Sequence, residues 1–223
     1  MRRLAVLLII VLILIGYGVR LNYNDRHYES VQYASMSLRY FETTLKGLED
    51  RSSNVVKGRL GDDAKTAYAT WGGLSPFPVY SVVSLKITDV ILGNLKVGEV
   101  IKIIEPYYID NRVLWTYSNY LPSIANREYI FFLGNQAIDK APKGCEYAYF
   151  VIHDERGRYL VPSEERDSTG HLSANDYKRE DLSLGEMNID LYMQLYQDVI
   201  DAYIKTRSTE NTFSRYIAEE QIE

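Results

Sequence analysis

Between residues 53 and 162 the chain passes through six apolar stretches, each rich in β-branched or aromatic residues and each flanked by turn residues. They read SNVVKGRL, PVYSVVSLKITDVILG, GEVIKIIEP, REYIFFLG, CEYAYFVI and RYLVP. In the longest, Val83, Leu85 and Ile87 share one face and Tyr80, Lys86 and Thr88 the other, the period-two alternation of a half-buried strand. Gly93 and Gly98 flank Asn94-Leu95-Lys96-Val97, a connection of hairpin length, and nothing beside Lys96 can act as base, nucleophile or metal ligand. No helical pattern interrupts the six runs. The region is therefore expected to be mainly β, an antiparallel sheet closed into a small barrel, because closure removes exposed edges. GDDAKTAYATWGGLSPFP, between the first two runs, reads as a loop.

Helical spacing is confined to the flanks. Val31, Ala34, Leu38, Phe41, Leu45 and Leu48 recur at steps of three and four, predicting an amphipathic helix over 25–50. The same spacing permits a homodimer through residues 25–50. Residues 163–181 are polar and charged and read as a loop. In NIDLYMQLYQDVIDAYIKTR, Tyr192, Leu195, Tyr196, Val199 and Tyr203 line one face of a C-terminal helix, with Asn188 or Asp190 as its cap. Four parts follow: a signal-anchor segment over 1–20, a helical stalk over 21–52, a β-barrel domain over 53–162, and a polar loop with a helix over 163–223.

The N-terminus MRRLAVLLIIVLILIGYGVR sets an uncharged run, Leu4 to Val19, between two arginines and Arg20. Sixteen residues at the helical rise of about 1.5 Å reach about 24 Å, short of a bilayer core of about 30 Å. Arg3 and Arg20 can snorkel to close most of that gap, and Tyr17 suits the interface. Residues 4–19 are expected to hold the protein in the cell membrane, single-pass, with a cytoplasmic N-terminus and an extracytoplasmic body. The alternative is secretion after signal cleavage; Gly16-Tyr17-Gly18 is a small-x-small site, though no Ala-x-Ala is present. Beyond residue 20 the chain carries 22 basic and 30 acidic residues, net −8, which disfavours nucleic acid. An apolar share of 46% with 25% charged residues is that of a folded chain. The lone Cys145 excludes an internal disulfide and reads as structural, in a half-buried strand.

VVKGRL, DVILGNLKVGEVIKI, NREYIFFL and GRYLVP, in that order, resemble an uncharacterised domain of exported cell-surface proteins of Gram-positive bacteria. The resemblance covers roughly residues 53–162. It implies an OB-like barrel similar to the netrin and tissue-inhibitor-of-metalloproteinase modules, and it brings no catalytic residues. Asn126 stands where that pattern has Gly, and Asn tolerates the left-handed turn such a position requires.

Catalytic motifs are missing: no HExxH, GxSxG, SxxK, P-loop, GxGxxG or CxxC is present. His27, His153 and His171 lie in different segments, so no zinc site and no cofactor is expected. His153-Asp154-Glu155-Arg156-Gly157 reads as a hairpin tip rather than a metal site. The compositional oddity is tyrosine, 20 residues against 6 Phe and 2 Trp. Tyr107, Tyr108, Trp115, Tyr117 and Tyr120 crowd into EPYYIDNRVLWTYSNYLP, read as a connecting segment, and are the candidate ligand-binding residues. These features favour a membrane-anchored binding module for a protein or an envelope polymer. An extracytoplasmic hydrolase built on Asp110, Asp154 and Glu155 stays open as the alternative.

Overall fold

The computed structural model of the protein describes residues 28–34, 44–70, 75–117, 120–137, 141–152, 156–162, 173–174, 177, 182 and 189–205. In chain order the elements are β1 (Ser30–Ala34), α1 (Leu45–Arg51), β2 (Asn54–Leu60), β3 (Lys65–Ala69), β4 (Phe77–Leu92), β5 (Val100–Glu105), β6 (Tyr107–Asp110), β7 (Val113–Tyr117), β8 (Glu128–Gln136), β9 (Tyr149–Val151), β10 (Arg158–Leu160) and α2 (Ile189–Val199). A π-helical segment, Ile200–Lys205, continues α2.

The fold is mainly β, and five strands close into a barrel in the order β2–β4–β5–β9–β8 and back to β2. Each of the six apolar runs contributes a strand. The sheet is mixed rather than purely antiparallel, because β5 and β9 pair in parallel, Ile103 against Tyr149 and Ile104 against Phe150. The intervening chain, through β6, β7 and β8, lets β9 return in the same direction as β5. β10 shares the β9 edge of β8 nearer its start, pairing residues 158–160 with 129–131.

Alternation places Val83, Leu85 and Ile87 of β4 with Ile101 and Ile103 of β5 in the buried core, as expected from the sequence. β8 breaks the alternation: Tyr129 to Leu133 are all buried. One face of β8 lines the barrel and the other lies under α2, so it reads as a continuous apolar run. Tyr192, Leu195, Tyr196 and Val199 are the buried face of α2. Tyr192 donates to the Arg158 carbonyl at 2.9 Å and Tyr196 to the Leu160 carbonyl at 2.7 Å, fixing the helix over β10. Gly157 is held by crowding, since an added Cβ would lie 1.9 Å from the Ile152 carbonyl oxygen.

A second, smaller cluster covers the outer face of β3, β4 and β5: Ala67, Val82, Ile104, Ala137, Cys145 and Ala148. Cys145 lies in a turn before β9, not in the strand, and burial pushes its thiol up to about 11. That makes it an inert packing residue at neutral pH. Asn126 has φ 63°, so the left-handed turn at that position is made without glycine.

Three further expectations change. The helix over 25–50 is not formed as one piece, because Ser30–Ala34 is strand β1, paired in parallel with β7. Val31 and Tyr33 are good strand residues, and the open edge of β7 supplies a full set of backbone partners. Among the described residues of this stretch the helix is α1, from Leu45, where Thr44 Oγ1 accepts from the Gly47 amide at 3.1 Å. Of the six-residue stripe only Leu45 and Leu48 ride on α1, and they pack on the barrel core; Leu38 and Phe41 lie outside the described residues. Strand β1 thus takes Val31 and Ala34 out of the helical stripe on which the homodimer expectation rests. Second, Lys65–Ala69, read as loop, is a strand paired with β4. Third, the polar segment beyond 163 returns to the core through Ala174, Tyr177 and Leu182. Among the described residues no helix is long and apolar enough to cross a membrane; residues 1–27 lie outside them.

Candidate binding surface

The tyrosine-rich segment is a hairpin with two faces. β6 and β7 pair Tyr107 with Thr116, Tyr108 with Trp115, Ile109 with Leu114 and Asp110 with Val113. Asn111 and Arg112 form the two-residue turn with φ 49° and 63°, the left-handed pair whose twist matches a hairpin. Arg112 is an uncommon residue there. Strand β1 secures it: the Glu29 amide donates to the Arg112 carbonyl at 2.8 Å, and Arg112 Nη1 meets Glu29 Oε1 at 2.6 Å.

One face turns inward. Tyr107, Ile109 and Leu114 join Tyr120 in a buried cluster, with Tyr107 and Tyr120 stacked at 6.4 Å. Beneath it lies a buried ion pair. Glu105 ends β5 on the same side as Ile101 and Ile103, and Arg158 begins β10; both side chains are 1% exposed, with Nη1 and Oε1 3.5 Å apart. The same Glu105 oxygen accepts from the Tyr120 hydroxyl, the Ser123 hydroxyl and the Ser123 amide. Arg158 donates to the Leu121 carbonyl at 2.9 Å and Ser123 Oγ at 2.6 Å, with its guanidinium 4.4 Å from the Tyr120 ring centre. Burial pushes the Tyr120 phenol well above its usual value, opposed by Arg158 and reinforced by Glu105. Burial works to lower the Arg158 pKa, but Tyr120, Tyr129 and Glu105 outweigh it, so the guanidinium stays charged. Glu105 Oε1 and the Arg158 guanidinium, both buried, form a structural clamp between β5, the 120–123 loop and β10, with Glu105 Oε2 left without a hydrogen-bond partner among the described residues. Glu105 also borders a cavity of about 140 Å³ with Tyr28, Tyr107 and Ile109, a size that suits a few water molecules.

The other face turns outward. Tyr108 stacks on Trp115 at 6.2 Å, and Trp115 is 37% exposed. Tyr117 lies 5.8 Å from Tyr80 of β4, and Tyr80 meets Phe150 of β9 edge-on at 6.2 Å. The Tyr117 hydroxyl is close enough to Tyr108 to help raise its phenol pKa, after burial as the main cause. The result is a strip of five rings, Trp115–Tyr108–Tyr117–Tyr80–Phe150, across four strands. Period-two geometry puts Val82 and Ser84 on the Tyr80 side of β4, and both line a groove of about 610 Å³ with Asp63, Lys65, Lys102 and Lys143. The three lysines are exposed. Asp63 is committed to Ser84, accepting from its amide at 3.0 Å and its hydroxyl at 2.6 Å.

The five candidate residues therefore separate. Tyr107 and Tyr120 are 4% and 1% exposed and belong to the core, while Tyr108, Trp115 and Tyr117 share the outward face. Tyr80, Phe150 and the three lysines come to that side only through strand pairing. Tyr80 had a signal in its alternation with Val83, Leu85 and Ile87, whereas Phe150 had none before its register with Ile104 was known. The acids considered for hydrolysis are not seen to converge: Asp110 is exposed at the end of β6, and Asp154 and Glu155 lie outside the described residues. Among the described residues no group of three His, Cys, Asp or Glu side chains could hold a metal ion. No protein-family model matches the chain, and no curated protein matches it either.

Proposed function

We propose that the chain is a non-enzymatic, membrane-anchored extracytoplasmic binding module. Residues 4–19 hold it in the membrane, and an OB-like barrel engages a protein or a cell-envelope polymer. The strand order supports the OB-like reading: the first, second, third, fifth and fourth barrel strands follow one another around the ring, a Greek-key order. The observation that carries the function is the outward aromatic strip beside a lysine-edged groove. Such rings offer large apolar area with a polar handle and lose little entropy on binding. The buried ionisable pair is instead sealed into the scaffold. The end of the strip made by Tyr117, Tyr80 and Phe150 lies on the groove side and is the partner-facing end.

The test replaces Tyr117 and Phe150 by Ala in the full-length protein and compares crosslinked partners recovered from membranes. Two central anchors of about 2 kcal/mol each would weaken binding by several hundredfold or more, so the partner should vanish while the melting profile is retained. An unchanged partner list overturns the proposal.

A further inference from the structure

The way the chain enters the domain fixes which side faces the membrane. This inference rests on the anchor reading of residues 4–19. Between Val19 and Tyr28 stand the eight residues Arg20 to His27, which at full extension reach about 28 Å. A domain of roughly 150 residues is about 38 Å across, so a body on that tether cannot turn an arbitrary side to the bilayer. The point of attachment decides. Glu29, immediately after Tyr28, is bonded through both its amide and its carboxylate to Arg112, in the turn of the β6–β7 hairpin. Five residues of β1 then pair with β7, from Ser30 against Val113 to Ala34 against Tyr117. The hairpin turn is therefore the part of the domain closest to the tether.

That corner carries amphipathic aromatic residues. Trp115 is 37% exposed with Tyr108 stacked against it on the outward face, and Tyr28, 39% exposed, stands on the other side of the sheet beside Tyr107 and Ile109. Their rings suit the boundary between acyl chains and headgroups, where Trp and Tyr place an apolar body beside water. The backbone of β1 can remain there because headgroup-layer water satisfies an edge strand, as hydrocarbon could not. We propose that the β6–β7 hairpin and edge strand β1 rest in the headgroup layer of the membrane. Trp115 and Tyr108 make the contact beside the hairpin turn, with Tyr28 at the tether, leaving the Tyr117–Tyr80–Phe150 end and the lysine groove for the partner.

Only Trp71 and Trp115 are tryptophans, so Trp115 can report its own depth. Full-length protein with Trp71→Phe is reconstituted into phosphatidylcholine–phosphatidylglycerol vesicles, with and without bromine on the upper acyl carbons. The difference between wild type and Trp115→Phe gives the same reading without touching Trp71. Contact at the interface predicts a roughly twofold or larger drop in Trp115 emission on bromination. Unchanged emission from protein that resists alkaline extraction overturns the docking while the anchor stands. Protein released by alkaline extraction overturns the anchor and the docking together.

Discussion

Tyr120 and Trp115 belong to one short, tyrosine-rich stretch, yet they serve opposite ends. Tyr120 is sealed against Arg158 and Glu105, and Trp115 stands in the open beside Tyr108. Residue type does not separate them. Strand parity does: Tyr107, Ile109 and Leu114 face the protein and Tyr108, Trp115 and Tyr117 face away, and the chain beyond β7 brings Tyr120 back under the inner face. A composition rich in tyrosine thus builds a scaffold clamp and an exposed surface from the same side chain.

The inner set should fail at high pH. Burial raises the phenols of Tyr120, Tyr159 and Tyr192 above their ordinary value. A phenol raised in the fold contributes stability that is fully present below the unfolded pKa of about 10 and is lost as pH rises through that value toward the folded one. Unfolding and phenolate absorbance should therefore rise together in one cooperative step above about pH 10. Smooth titration of all 20 tyrosines with circular dichroism unchanged would remove the sealed set from the account.

A smaller loss should follow Arg158→Met, which leaves Glu105 buried without its countercharge. Urea unfolding should show about 3–5 kcal/mol of destabilisation, and adding Glu105→Leu should recover most of it. Additive losses in the double variant would mean that the two side chains do not act as a pair.

The sharpest use of the comparison sets Tyr107→Ala beside Trp115→Ala. Truncating the buried ring should cost about 3 kcal/mol and truncating the exposed one about 0.5 kcal/mol or less. Equal costs would mean that the two faces of the hairpin are not distinct.

How much of this could be read from the sequence depends on range. The barrel strands were legible because each carries its own alternation or apolar run, as in Val83, Leu85 and Ile87. The β6–β7 hairpin was not, because its turn is Asn111-Arg112, without the glycine that usually marks two positive φ values. β1 reads as helix in the sequence because Val31 and Ala34 fit a three-residue step as well as part of a strand. Only the distant edge of β7, supplied by residues 113–117, decides the matter. The Glu105–Arg158 clamp has no linear signature, since its partners meet only when β8 brings β10 beside the end of β5.

The claim that matters most is that the outward strip near the groove is where a partner binds. Incorporating a photo-crosslinking phenylalanine at position 117, and separately at the exposed Lys46 position on α1 as a control, tests it in native membranes. The account predicts a discrete adduct from position 117 that is absent from position 46 and is lost when Phe150 is also changed to Ala. No adduct at 117, or the same adducts from both positions, would contradict it.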